Sequence, residues 1–239
     1  MPEKKYDLET IEKAFNKRYR IKKTCNIVIS LLIIILGTLS VLFIWNHDQD
    51  GLLTFRWLTV DGTLFTVIVS AIYVTVNLVE MIRLTELTAL STYFIRLSGA
   101  VAEGLIMIVV LMSQLPVFSE HMIIFRIDMF NMHLLIPILT ISSFVLNDPS
   151  IGRLNPLQIF MGTSFVSVYA IIITILIQTG LLRNSKIPYF FLDFDNMSLW
   201  LIFITFLIIY GIGYLLSWWI SSLNRKLSWR WFKRITDKN

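Results

Sequence analysis

Two side chains in this sequence are of types that make and break bonds together: the hydroxyl of Thr59 and the imidazole of His133. Thr59 heads a row of polar residues, Thr59, Thr63, Thr66, Ser70, Tyr73, Asn77 and Glu80, spaced by three or four throughout. On a helix that spacing gathers them on one face. His133 stands in Asn131-Met132-His133-Leu134-Leu135-Ile136-Pro137, and Pro137 lacks the amide that would bond the His133 carbonyl. A kink is predicted there, and Thr140 and Asn147 continue a polar face from His133 at helical spacing. A hydroxyl is a weak nucleophile at neutral pH and needs a base, a role that an imidazole fills. A second polar set contains Asn77, Glu80, Arg96 and Glu103; Arg96 and Glu103 are seven apart and share a face.

The elements that must hold these groups follow from composition. Of 239 residues 56% are apolar and only 15% are charged, whereas a soluble domain carries about 25% charged residues. Seventeen Phe and seven Trp, with a mean hydropathy of +0.70, point the same way. An ordinary soluble enzyme, a disordered chain and a nucleic-acid-binding domain are excluded, and an integral membrane protein is left. Six segments approach or exceed the roughly 20 apolar residues that cross a bilayer. They run from Asn26 to Trp45, Leu58 to Ile82, Leu97 to Leu115, Met129 to Leu146, Leu157 to Leu182 and Met197 to Ile220. The apolar runs are continuous, which predicts helices and not an alternating barrel. The expected fold is all-α: one polytopic domain, with a basic segment at 1–24, a six-transmembrane-helix bundle at 25–220 and a basic aromatic tail at 221–239.

Lysine and arginine set the orientation. With the N-terminus inside, 17 of the 21 fall on the cytoplasmic side and four outside, namely Arg56, Arg126, Arg183 and Lys186. Both termini are therefore expected in the cytoplasm, with the first span acting as a signal anchor. Leu8, Ile11, Phe15 and Tyr19, interleaved with Lys13, Lys17 and Arg20, predict a short amphipathic helix on the inner leaflet. Tryptophans and basic residues mixed after Trp218 predict interfacial anchoring of the tail. The pattern suits a bacterial inner membrane. The single cysteine, Cys25, excludes an intrachain disulfide. No helix carries a His-x-x-x-His or Glu-x-x-His pair, so no metal site, no cofactor and no nucleic-acid partner are expected.

In this topology Thr59 and His133 both lie about one helical turn beneath the outer surface, at ~1.5 Å per residue. Around them, Phe55-Arg56-Trp57-Leu58-Thr59-Val60-Asp61 resembles the aromatic-Leu/Phe-Thr segment of the androgen-induced membrane hydrolases, which cleave fatty acid esters of hydroxy fatty acids. Asn131-Met132-His133 through Pro137-Ile138-Leu139 resembles their histidine segment, with a proline four residues after the histidine. Ile187-Pro188-Tyr189-Phe190-Phe191-Leu192-Asp193 is similar to a Tyr-Pro-rich outer loop of bacterial relatives. The resemblance implies a threonine nucleophile at Thr59, a histidine base at His133 and a membrane lipid or lipid ester as substrate. The chain departs from bacterial relatives at Asp61-Gly62-Thr63, where they often carry Ser-Asn.

A third group should orient the imidazole. Asp128, five residues before His133, and Asp193 in the outer loop are the leading candidates, with Tyr189 beside Asp193. Asp61, two residues from Thr59, points away from it on an ideal helix. Solvated loop carboxylates are the plain alternative. For Arg96 and Glu103 the structural alternative is an ion pair, and the functional one a proton or cation path. Two other classes compete with hydrolysis. One is a small transporter or channel using the polar face from Thr59 to Glu80; the other is a non-catalytic lipid-binding subunit.

Overall fold

The computed structural model describes residues 8–47, 51–83, 90–114, 126–183, 186–189 and 192–236. Among them every regular element is helical. Helix α1 covers Leu8–His47, a 3₁₀ turn covers Gly51–Arg56, and α2 covers Leu58–Arg83. Helix α3, Leu90–Val109, continues as a π turn at Val110–Gln114. The next rod joins α4 (Ile127–Phe130), a π turn at Asn131–Leu135 and α5 (Ile136–Asn147). Helices α6 (Pro156–Met161), α7 (Ser164–Gln178) and α8 (Leu199–Thr236) complete the chain.

Helix α3 forms the core. It touches α2, α5, α7 and α8, and every residue from Arg96 to Ile106 is buried. Ser98, Gly99, Ala100, Ala102 and Gly104 make that possible, because small side chains let neighbouring helices approach closely. Helix α1 packs along α2 and α5. Gly37 is the point of closest approach: a Cβ there would collide with Val67 and meet Thr63 Cγ2 at 3.2 Å. The outward faces of these rods are apolar, with Val28, Leu31, Ile35, Ile68, Ile72 and Leu215 all exposed.

Among the described residues five helices are long and apolar enough to cross a membrane: Tyr19–His47, Leu58–Arg83, Leu90–Met112, Ile127–Asn147 and Leu199–Ser228. The predicted fifth span, Leu157 to Leu182, is divided. Asn155 opens α6 with a capping box, its side chain accepting from the Gln158 N–H while Gln158 accepts from the Asn155 N–H. The chain then turns at Gly162 and Thr163 and leaves α7 only 15 residues long. The carbonyls freed by that turn are bonded: the Thr163 hydroxyl donates to Phe160 at 2.8 Å, and Ser217 of α8 donates to Ile159 at 2.6 Å. Hydropathy misses the break because the residues on both sides of it are apolar.

Two other boundaries differ from expectation. The third span starts at Leu90 and not Leu97, because the charge of Arg96 is buried and paired and so does not end the helix. The basic N-terminal segment does not form a separate helix from Leu8 onward but continues straight into the first span as α1. The side chains of Leu8, Ile11 and Phe15 lie outside the described residues.

Candidate functional site at the Thr59 end of the bundle

Thr59 is the second residue of α2, and the start of that helix is held from several sides. The Trp57 carbonyl accepts the N–H groups of Val60 at 3.0 Å and Asp61 at 3.1 Å. The Leu58 N–H donates to the Tyr189 hydroxyl at 3.1 Å, and the Trp57 and Tyr189 rings meet edge to face. The Tyr169 hydroxyl donates to the Arg56 carbonyl at 2.5 Å. These bonds use N–H and C=O groups that a helix start leaves unpaired. Burial pushes the Tyr189 phenol up to about 12.

His133 sits at the centre of the π turn. There the Ile136 N–H reaches back five residues to the Asn131 carbonyl. The amide missing at Pro137 is thus accommodated by a wider turn just before it. Asn131 donates to Ser40 Oγ at 3.3 Å and ties this turn to α1. Together the two local structures bring Thr59 Oγ1 to 3.4 Å from His133 Nε2.

The other ring nitrogen settles the proton's position. His133 Nδ1 lies 2.8 Å from the Met129 carbonyl. A carbonyl only accepts, so Nδ1 must carry hydrogen and donate. In the neutral ring Nε2 is then the acceptor, and it faces the Thr59 hydroxyl. The separation is long for a hydrogen bond to oxygen, as is common for catalytic pairs without substrate. His133 is buried, Thr59 half-buried, and the surroundings are apolar: Val41, Ile44, Val60 and Met132, with Phe55, Trp57 and Met129 packed on them.

The expected orienting residues are arranged differently. Asp128 is buried and within electrostatic range of the imidazole, but its oxygens accept from Arg126 Nε and Nη2 at 2.7 Å each. The Met129 carbonyl occupies the position a third carboxylate would take. Asp193 accepts from the backbone N–H and side-chain amide of Asn196 and shapes its own loop. Asp61 is within electrostatic range of Tyr169 and Tyr189, and no hydrogen bond between it and His133 is seen among the described residues. Tyr189 supports Thr59 through the backbone, by capping Leu58.

Below the pair, the polar face of α2 turns into the bundle. Thr63, Thr66, Ser70, Asn77 and Glu80 are each at most 1% exposed. Among the described residues the hydroxyls of Thr63 and Ser70 have no hydrogen-bond partner, and the buried Glu103 carboxyl stands against the Thr66 hydroxyl. The Thr63 and Ser70 hydroxyls therefore do not bond back to their own helix, the usual arrangement for Ser and Thr.

At the far end most of the buried polar groups bond to one another. Lys23 of α1 pairs with Glu80 of α2, both buried. Arg96 does not pair with Glu103: seven residues on a helix separate them by ~10 Å along the axis. Its Nε donates to Asp148 at 3.0 Å, and its Nη2 donates to Asp148, Asn26 and Ser143 at 3.2, 3.2 and 3.0 Å. The guanidinium lies over the Tyr73 ring, 4.3 Å from its centre. Asn77 uses its amide on the Tyr73 carbonyl. Lys23, Asn26, Ser143 and Asp148 were not expected as parts of this cluster. Their signal was available: a buried arginine demands a carboxylate, and Asp148 directly follows the last residue of α5.

Compared with protein-family models, curated proteins and solved structures, the chain matches none of them.

Proposed function

We propose that this protein is an intramembrane lipid ester hydrolase with Thr59 as nucleophile and His133 as base. The single observation that carries the reading is the 3.4 Å approach of Thr59 Oγ1 to His133 Nε2, with the Nδ1 hydrogen already committed to the Met129 carbonyl. A lone buried histidine needs no hydroxyl opposite its free nitrogen; a general base does.

In the reaction, Nε2 takes the Thr59 proton as Oγ1 bonds to the ester carbonyl carbon. Collapse of the tetrahedral adduct breaks the carbon–oxygen bond to the alcohol, which leaves with the proton from Nε2. Water then attacks the acyl-threonine and gives its proton to Nε2. The bond to Oγ1 breaks, the acid departs and the proton returns to Thr59. Thr59 lies in the first turn of α2, where the helix dipole favours a developing oxyanion. The apolar side chains around the pair suit an acyl chain. The resemblance of the segments around Thr59 and His133 to the androgen-induced membrane hydrolases supports the same reading.

The membrane arrangement belongs to this proposal. The 17-to-4 distribution of basic residues supports cytoplasmic termini in a bacterial inner membrane, with the Thr59 pair beneath the outer surface. The broken pair α6 and α7 serves as the sixth crossing. The test is turnover of fatty acid esters of hydroxy fatty acids by purified protein, with Thr59→Ala and His133→Ala as controls. Wild-type rates in either variant overturn the assignment.

One observation favours a second reading as a transporter: the buried polar column of Thr63, Thr66, Ser70 and Glu103 inside the bundle. Proton or cation flux into liposomes that persists in Thr59→Ala and stops in Glu103→Leu would favour it.

A further inference from the structure

The end of the bundle opposite Thr59 carries a cleft that the proposed hydrolysis does not use. Its volume is about 800 Å³, and it opens between the α5–α6 loop and α8. Three cations line it: Arg153 from the loop, and Arg225 and Lys226 from α8. All three are exposed, and among the described residues none of them forms a salt bridge. Gly152 turns the loop at φ 96°, a backbone conformation that favours glycine.

The rest of the lining is not that of a simple anion site. Leu154, Pro156, Ile159 and Trp218 supply an apolar wall. That wall continues onto the exposed outer surface of the bundle through Leu157 and Phe160 of α6 and Leu215 and Trp219 of α8. The placement of α6 is fixed by the Ser217–Ile159 hydrogen bond and by Gly162, where any Cβ would strike Ser217. The cleft is therefore a built feature of the fold. A ligand matching it must be anionic at one end and apolar at the other, and must be reachable from the side of the bundle.

We propose that this cleft binds the phosphate headgroup of an anionic glycerophospholipid, with the acyl chains lying along the outer faces of α6 and α8. Basic pockets between membrane helices hold such headgroups, and a tryptophan beside them sits at headgroup depth. The shared chemistry is a phosphate anion. A free phosphate would satisfy the cations and leave the apolar wall unused, so the lipid is the occupant that the whole lining favours.

The test uses full-length protein in zwitterionic nanodiscs, titrated with phosphatidylglycerol, with phosphatidylcholine or with inorganic phosphate, and read by native mass spectrometry and thermal unfolding. Phosphatidylglycerol is expected to bind and raise the melting temperature, and the other two to do neither. The triple variant Arg153→Ala, Arg225→Ala, Lys226→Ala should weaken that binding by on the order of 100-fold, at roughly fivefold per basic residue. A variant with the exposed pair Lys17→Ala and Arg20→Ala, which removes surface charge away from the cleft, should bind as wild type does. Equal binding of phosphatidylcholine, full competition by inorganic phosphate, or the same loss in the Lys17/Arg20 variant would each overturn the proposal. The three cleft cations are exposed and the Lys17/Arg20 variant controls for charge, so misfolding would show as loss of cooperative unfolding in lipid-free protein. In that case single substitutions, each expected to lose several-fold, decide the matter.

Discussion

At the Glu80 end of the bundle Arg96 makes four hydrogen bonds, to Asp148, Asn26 and Ser143, and Lys23 closes on Glu80. At the Thr59 end one hydroxyl and one imidazole share a single 3.4 Å contact. Both ends lie on the polar face of α2, about 31 Å apart at ~1.5 Å per residue, and Glu80 and His133 are both buried. The difference lies in how completely the groups are bonded. Buried charges must be neutralised by good geometry or they destabilise the fold, so the Arg96 end behaves as a fastener. A neutral hydroxyl facing a neutral imidazole carries no such demand, and its loose contact leaves a lone pair and a proton available for transfer.

Substitutions should separate the two ends by kind of effect. The largest is expected in catalysis. Thr59→Ala and His133→Ala should each lower ester turnover on the order of 10³-fold while leaving the melting temperature close to wild type. A large loss of stability instead would make this end a fastener too. Next comes Arg96→Ala, which leaves Asp148 buried without its cation and should destabilise by about 3–5 kcal/mol. Thermal unfolding in detergent measures it, and turnover per folded molecule should persist. Glu103→Leu has the opposite sign. It removes a fully buried carboxyl that no cation pairs with among the described residues and should stabilise by about 1–3 kcal/mol. A destabilised Glu103→Leu would show that the middle of the column is bonded after all.

The smallest effect concerns Tyr189. Tyr189→Phe removes the acceptor for the Leu58 N–H and should cost about 1 kcal/mol, with a modest fall in turnover because Thr59 follows Leu58. It also carries a pH signature. The phenol is pushed from 10 up to about 12 in the folded protein, so above pH 10 the unfolded chain has lost a proton that the folded chain retains. Stability should therefore fall as pH rises from about 10 toward 12, and Tyr189→Phe should remove that part of the decline. Melting temperatures of the two proteins across this interval check the sign.

Much of this was legible from residue order. The α2 polar face needed only helical spacing, and the structure buries the face as that spacing predicts. The partners of Arg96 were not read from the same rule. Spacing on one helix named Glu103, which shares a face with Arg96 but lies too far along the axis to touch it. The true partner, Asp148, is 52 residues away on another rod. The orienting group for His133 was sought among carboxylates, and a backbone carbonyl four residues upstream fills that position. Side-chain type says nothing about which main-chain oxygen a π turn will expose.

Apolar runs of about 20 residues dictate helices, because backbone polar groups in lipid can be satisfied only within the segment. Composition therefore determined an all-helical chain with apolar outer faces, and periodicity determined which face of α2 turned inward. Only the tertiary structure decided that α6 and α7 are separate, because Ser217 of α8 must be present to bond the carbonyl at the break. It alone decided that the start of α2 meets the π turn of the α4–α5 rod, with Thr59 opposite His133. Hydropathy fixes depth in the bilayer and leaves the order of helices around the bundle open. That order is set by which small residues, such as Gly37 and Gly162, allow close packing, and by which buried charges find one another across rods.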